Sequence, residues 1–364
     1  MIDFLIIGGG IAGLSAAARL SAHGQVTVLE TEDALGYHAS GRSAALYESN
    51  YGLASTVALN LASEEYHRTH NGGYLTPRGL LVVAKAEDEA LFRVDLDDLN
   101  LTQIDLDAAS AIIPILNPET TAFCAYHDAA WDIDTDRLMQ DFAKVVRSNG
   151  GQVLPRHAVT AIHQTGQTWQ TWQTWQVDAG GETFQAGTLI NAAGPWADEI
   201  ATLAGIAPIG LTPYRRSMAR LPAPGGHDVS GWPMLMGAGE TWYAKADAGK
   251  WLVSPAEADP TTPHDAYADD MVLAEGLARY EEMVTEPVTR VETNWAGLRT
   301  FAPDKALVLG PDPDQPNFIW CAGQGGYGFQ TAPAASQLIA DLVTGADSPL
   351  GAQTLAALTP NRLR

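Results

Sequence analysis

The apolar positions change rhythm three times near the start of the chain. Phe4, Leu5, Ile6 and Ile7 form an unbroken apolar run, the pattern of a short strand buried on both faces. Gly8, Gly10 and Gly13 follow with G-x-G-x-x-G spacing, and Ile11, Leu14, Ala17 and Ala18 then recur on one side of a helical repeat. Gly24 is placed to end that helix, and residues 26–29 form a second apolar run closed by Glu30. Far downstream, residues 188–194 predict a strand ending in the small residues Asn191, Ala192, Ala193 and Gly194. Residues 318–321 predict another, running through the glycine-rich stretch 322–328 into a helix over 331–343. Residues 133–146 read as a helix begun by Asp134 or Thr135, and 209–260 as short strands between Pro/Gly turns.

Each part of the opening unit has a physical use. The first glycine permits a tight turn, the second lets backbone approach a pyrophosphate, and the third lets the helix pack against the strand. Free N–H groups and the helix dipole then favour an anion at the helix start. Glu30 is spaced to accept hydrogen bonds from an adenosine ribose, and an acid there disfavours a 2′-phosphate, which argues against NADP and leaves FAD or NAD. The strand ending in small residues at 188–194 and the second glycine-rich loop, feeding a second helix start, favour FAD. The loop makes another anion-stabilising site, which a flavin needs when reduction places negative charge on its ring and a nicotinamide does not.

Composition narrows the setting. At 364 residues and 46% hydrophobic the chain is too long for one core, so two domains are expected and disorder is not. The formal charge of −22 argues against nucleic acid and anionic lipid as partners. Two cysteines, Cys124 and Cys321, make no disulfide framework and suit a reducing cytoplasm. The opening stretch lacks the pattern of a signal peptide, and no run of about 18 apolar residues predicts a membrane span. His67 and His70 stand three apart on an expected helix, which reads as a solvated face rather than a metal site. Residues 168–176 repeat Thr-Trp-Gln three times, fit neither strand nor helix period, and read as a duplicated hairpin extension. A Trp-lined contact surface is the other reading of that repeat.

Five segments carry a resemblance. GGGIAG…VTVLE, GYHASGRSAALYESNYG at 36–52, NAAGPWAD at 191–198, NWAGLRTFAPD at 294–304 and AGQGGYGFQT at 322–331 resemble the FAD-dependent D-amino-acid oxidase superfamily. Within it they are most similar to the D-arginine dehydrogenase-like D-amino-acid dehydrogenases. The resemblance implies an α/β fold: a Rossmann-like FAD-binding domain plus a smaller, mostly antiparallel β substrate domain of α+β type. The first would comprise 1–79, 132–208 and 296–364, the second 80–131 and 209–295.

The same resemblance implies the site. Gly8, Gly10, Ala12 and Gly13, with Glu30 and Thr31, would hold the adenosine diphosphate, and Val159 would touch adenine through its backbone. The loop Ala39 to Leu46, with Gly41, Arg42, Ser43, Ala44, Ala45 and Leu46, would wrap the flavin; Gln324, Gly325, Gly326, Tyr327, Gly328 and Phe329 would lie beneath its pyrimidine end, and Ala193 and Gly194 would also bind the cofactor. Some relatives attach flavin to a cysteine near the WAGLR segment; Gly297 stands there, so non-covalent FAD is expected. Arg216 and Arg299 match a carboxylate-binding pair, while Arg215 reads as structural. Tyr51 and Tyr243 match substrate-contacting tyrosines, Gly326 a carbonyl for the substrate amine, and Gln330 lies beside it.

Two departures bear on the substrate. Leu80 stands where cation-preferring relatives carry an acid, and Leu46 where they carry a histidine, with Glu48 two residues on. Leu80 suits a neutral or apolar side chain; Glu48 would restore a cation preference if it faced the pocket. The implied reaction is hydride transfer from Cα to flavin N5, giving an imino acid that hydrolyses to a 2-oxo acid and ammonia. No second nucleotide motif is visible, so oxygen, a quinone or a carrier protein is expected as electron acceptor. Secondary amines (sarcosine- or proline-like) and 2-hydroxy acids are the rival substrates. A FAD-binding subunit with structural duties alone is the non-enzymatic rival.

Overall fold

The computed structural model describes residues 1–165 and 174–364. Residues 168–173 of the Thr-Trp-Gln repeat lie outside the described residues; its last copy, Thr174 to Gln176, opens the strand Thr174–Ala179. That strand pairs antiparallel with Val159–Thr165.

Five apolar strands make the parallel heart of the first sheet. Ile2–Ile7 lies between Val26–Leu29 and Glu182–Asn191, flanked by Gln152–Leu154 and Phe318–Ala322. These runs lack polar alternation because helices cover one face and a hairpin the other. On the helical face Leu14, Ala17, Phe142, Leu338 and Ile339 close one core; on the other, Leu5, Trp175, Phe318 and Trp320 close a second. Parallel strands place their carboxyl ends together, so the turns after Ile7, Asn191 and Ala322 meet at one edge.

The second sheet has nine strands, all paired antiparallel except Met234–Gly237 against Leu80–Ala84. Its longest pairing joins Thr212–Leu221 to Thr293–Phe301, with Tyr214 opposite Arg299 and Arg216 opposite Gly297. A third, three-stranded sheet brings Leu46–Glu48 and Leu75–Pro77 to either side of Ala130–Ile133. Thr135–Ser148 is a helix capped by Asp134, whose carboxylate accepts from the Arg137 N–H at 3.1 Å, as the sequence predicts. Among the described residues, no helix is long and apolar enough to cross a membrane.

The last long helix departs from expectation. It runs Gly328–Thr344, beginning at the glycine loop itself rather than near 331, with Pro333 inside it. Proline has no N–H for the Phe329 carbonyl and disturbs the ladder around it. The neighbouring helix Ala54–Thr69 repairs the damage with two side chains four residues apart on one face. Ser63 Oγ accepts from the Ala334 N–H at 3.0 Å, and His67 Nε2 meets the Gln330 carbonyl at 3.1 Å. A carbonyl only accepts, so His67 carries its proton on Nε2. This corrects the expectation of a solvated face: His67 is 0% exposed. His70 does lie at the surface. Among the described residues, no three His, Cys, Asp or Glu gather as a metal site.

Burial pushes the His67 pKa from the ordinary 6.5 down to about 4. The unfolded chain therefore binds a proton at this residue between about pH 6.5 and 4 that the folded chain refuses, so stability falls as pH drops through that window. His67→Leu removes both the titration and the donor to Gln330. Urea unfolding is expected to show a loss of about 1–3 kcal/mol at pH 7, with a shallower decline than in the wild type as pH falls from the ordinary histidine value toward the folded one.

Candidate functional site

Close backbone packing opens a cleft at the strand ends. A Cβ on Gly13 would fall 1.9 Å from the Gly8 carbonyl oxygen, and one on Gly8 2.3 Å from the Ala192 carbonyl oxygen. Only glycine at both places lets the helix Ile11–Leu20 start directly against the turn, its free N–H groups facing the cleft. Gly10 offers that helix no capping side chain; instead Ser40 Oγ accepts from the Ile11 N–H at 3.0 Å. Ser40 falls in the loop that the sequence assigns to the flavin, but its capping role leaves no signal there, because the helix it caps lies far away along the chain.

The cleft is continuous through three joined cavities. The first is lined by Gly8, Glu30, Thr31, Val159, Ala193 and Trp196. Gly10, Ala39, Ser40 and Gly194 line both it and the second, which adds Ala12, Arg42, Gln324, Gly325 and Gly328. Ser43, Ala44, Tyr243, Arg299, Gly326 and Phe329 line both the second and the third. The third adds Ala45, Leu46, Glu48, Tyr51, Leu80 and Gln330. Of the residues expected around the cofactor, Gly13, Gly41 and Tyr327 lie outside these linings: Gly13 packs on Gly8, Gly41 on the Gly36 carbonyl, and Tyr327 edge-on to Tyr51. The Arg42 guanidinium is committed to the Ala266 and Ala296 carbonyls and to Asp265.

Several groups along the cleft suit an adenine dinucleotide. Glu30 accepts from the Gly9 N–H at 2.6 Å and the Glu32 N–H at 2.9 Å, and each carboxylate oxygen retains a lone pair for a ribose hydroxyl. The second helix start, at Gly328, faces the middle cavity through Gly328 and Phe329. The loop between the cavities is clamped from below. Buried Lys245 donates to the Ala44 carbonyl at 2.5 Å and to Asp132 at 2.7 Å, and Arg78 holds Asp132 from the other side. That clamp holds Ala45 at φ 49, a left-handed conformation costly for a residue with a side chain.

Two cations converge at the junction of the second and third cavities. Arg216 stands opposite Gly297, so it is diagonal to Arg299 across the strand pair, with no side chain between them. A carboxylate with no signal in the sequence, Glu240, bridges them: its Oε1 lies 2.6 Å from Arg216 Nη1 and 3.3 Å from Arg299 Nη1. Tyr51 donates to Glu240 Oε2 at 2.8 Å. Burial alone would push the Glu240 carboxyl up, but Arg299 and then Arg216 outweigh it and hold it below its ordinary range. Burial, followed by the charge of Glu240, raises the Tyr51 phenol far above its ordinary value, so it stays a neutral donor. Burial opposes charge on Arg299, yet the oxygens of Tyr51, Tyr243 and Glu240 around it raise its pKa further. Arg215 points elsewhere and pairs with Asp259 at 3.0 Å.

The far wall of the third cavity mixes characters. Leu80, Leu99, Met234 and Met236 make it apolar, while Glu48, 3% exposed, also lines it. Glu48 Oε2 lies 3.1 Å from His127 Nε2, close but not aligned as a hydrogen bond, and its Oε1 accepts from the Asn50 N–H. Gln330 Oε1 accepts from the Glu48 N–H, leaving a buried Nε2 with no partner among the described residues.

With this geometry in hand, comparison with known proteins is informative. The sequence model of the family described as DAO, FAD dependent oxidoreductase, matches residues 3–342. FAD-dependent oxidoreductase domain-containing protein 1 of Bos taurus is 25% identical, over 94% of this chain and 81% of its own. Glycine oxidase of Pseudomonas putida is 24% identical over 94% of each chain. The FAD-bound, dithionite-reduced L-α-glycerophosphate oxidase of Mycoplasma pneumoniae superposes with a TM-score of 0.81 at 19% identity, covering 96% of each chain. FAD is thus the cofactor that the cleft takes. These relatives do not single out D-arginine dehydrogenases, so the narrower likeness rests on the sequence motifs alone.

Gly13→Ala tests the close packing under the cofactor, since its methyl group would force the helix start away from the turn. Titration of the apoprotein with FAD, followed by flavin fluorescence, is expected to show affinity lowered at least about tenfold, with the far-UV circular dichroism unchanged.

Proposed function

The chain belongs to the DAO family of FAD dependent oxidoreductases, and from that premise we propose that it oxidises the C–N bond of a small amino acid, a D-amino acid with a neutral side chain foremost. The observation that carries this reading is the pair of guanidiniums, Arg216 and Arg299, already engaged with a carboxylate where the flavin-side cavity opens onto an apolar one. An amino acid fits such a junction in one orientation. Its carboxylate takes the arginines and the neutral Tyr51 hydroxyl, and its side chain lies against Leu80, Leu99, Met234 and Met236. Gly326 sits against the Arg299 guanidinium, so closely that a Cβ on it would fall 3.1 Å from Arg299 Cζ. Gly326 lines both cavities at this junction, which supports its carbonyl as an acceptor for the amine.

FAD held along this cleft would supply a two-electron oxidant, accepting a hydride equivalent as the substrate's C–N single bond became C=N with a second proton lost to solvent; hydrolysis of that imine by water would give a 2-oxo acid and ammonia. The chain's own residues bind and orient. The arginines fix one end of the substrate so that the remaining rotation about Cα is limited by the pocket wall, a proximity effect. Gln330 lines this cavity, and its buried Nε2, which finds no partner among the described residues, supports it as a further donor. Glu48 supports acceptance of a polar or cationic group at the far wall, which Leu80 alone would refuse. The likeness to glycine oxidase supports an amine over a hydroxyl as the oxidised group and keeps secondary amino acids as rival substrates. Among the described residues, no cysteine lines the flavin-side cavity around Gly297, which supports FAD held without a covalent bond.

The test is to mix the yellow protein anaerobically with D-amino acids, N-methyl amino acids and 2-hydroxy acids and follow flavin bleaching. Bleaching by neutral D-amino acids is expected, and bleaching by N-methyl or hydroxy acids alone contradicts the reading. In Arg299→Lys the charge remains but the fork is lost, so the substrate concentration for half-maximal bleaching is expected to rise about tenfold to 100-fold.

A further inference from the structure

Glu240 stands where the proposed substrate carboxylate belongs. The three donors assigned to that carboxylate are Arg216 Nη1, Arg299 Nη1 and the Tyr51 hydroxyl, and all three are on Glu240, at 2.6, 3.3 and 2.8 Å. A substrate carboxylate arriving beside an ionised Glu240 would put two like charges within a few ångströms in a half-buried site. One of the two must yield.

The chain is built to let Glu240 yield. It sits on the turn Ala238–Glu240, where Gly239 and Glu240 both have left-handed backbone, φ 71 and 53. Such a conformation is disfavoured for glutamate and persists only where surroundings hold it; here the ion pairs at its tip are the holding contacts. The turn is fastened to its neighbours by few bonds, chiefly the Gly239 N–H to Asp95 at 2.7 Å. The Glu240 side chain is also 28% exposed, more than Arg216 at 12% or Arg299 at 22%. Glu240 also lines the third cavity, so it has open cavity space on one side and the cradle on the other.

Resting on the carboxylate-binding reading above, we propose that Glu240 is a built-in competitor that occupies the Arg216–Arg299–Tyr51 cradle and leaves it when a substrate carboxylate binds. The exchange is one carboxylate for another on the same donors, so the cradle is never left as two unpaired buried cations. It sets substrate affinity by subtraction: every incoming acid must outbind the internal one. Only ligands that also fill the apolar cavity beyond do so, which biases the site against small bare carboxylates.

The experiment uses the FAD-loaded protein and benzoate, a carboxylate with no oxidisable amine, with binding read from the flavin absorbance. In Glu240→Gln and Glu240→Ala the dissociation constant for benzoate is expected to fall at least about tenfold below wild type, a change of about 1.4 kcal/mol or more; Glu240→Asp, which keeps the charge, should bind benzoate more weakly than either. Binding unchanged or weakened in both neutral variants overturns the proposal, because a residue that merely positions the arginines would cost affinity when lost. Arg299→Ala separates the two levels of argument. If it binds benzoate as well as wild type does, or if wild type and Glu240 variants alike bind none, the carboxylate-binding reading fails and this inference with it.

Discussion

The structure depends on how closely three backbone segments approach one another at the carboxyl edge of the first sheet. Gly8 touches the Ala192 carbonyl and Gly13 touches the Gly8 carbonyl, at distances that admit no side chain. Because the segments meet there, the first helix begins at the cleft and the strand before Gly194 ends in it. The second glycine loop reaches the same edge from the far end of the sequence. A groove lined by segments far apart in the sequence follows from this constraint rather than from any single residue, and the strands that lead to it are largely buried.

The proposed substrate end obeys a different rule. Its cations lie on neighbouring strands of the second sheet, with a glycine opposite one of them leaving room for the other. Two guanidiniums so close in a half-buried place require an anion, and Glu240 provides one within the chain. The same carboxylate accepts from the Tyr51 hydroxyl, whose pKa burial raises first and the charge of Glu240 next. Charge balance, apolar wall and flavin-side opening thus come together at a single junction.

Much of this is legible in the sequence because its signals are local. The glycine spacing, the terminal acid Glu30 and the runs at 4–7 and 26–29 each sit within one turn of what they determine. Tyr51 and Arg299 stand out through their flanking motifs, Arg216 and Tyr243 only through the wider resemblance, and the structure brings all four to the third cavity or its threshold. What stays hidden is non-local. Glu240 reads as one acid in a glycine turn, far from both arginines along the chain. His67 reads as a surface histidine until Pro333, on another helix, is seen to leave carbonyls wanting a donor. The same proline makes the last helix look shorter than it is. Leu80 and Glu48 both draw notice in the sequence, but only the fold puts them on one cavity wall.

The central claim, that the two arginines hold a substrate carboxylate in place of Glu240, is tested most directly by a crystal structure of the FAD-loaded protein with benzoate. The benzoate carboxylate is expected to bridge Arg216 and Arg299 within hydrogen-bond distance of Tyr51, its ring against Leu80 and Met236, with the Glu240 side chain turned to solvent. Benzoate bound elsewhere, with Glu240 still on both arginines, would contradict it.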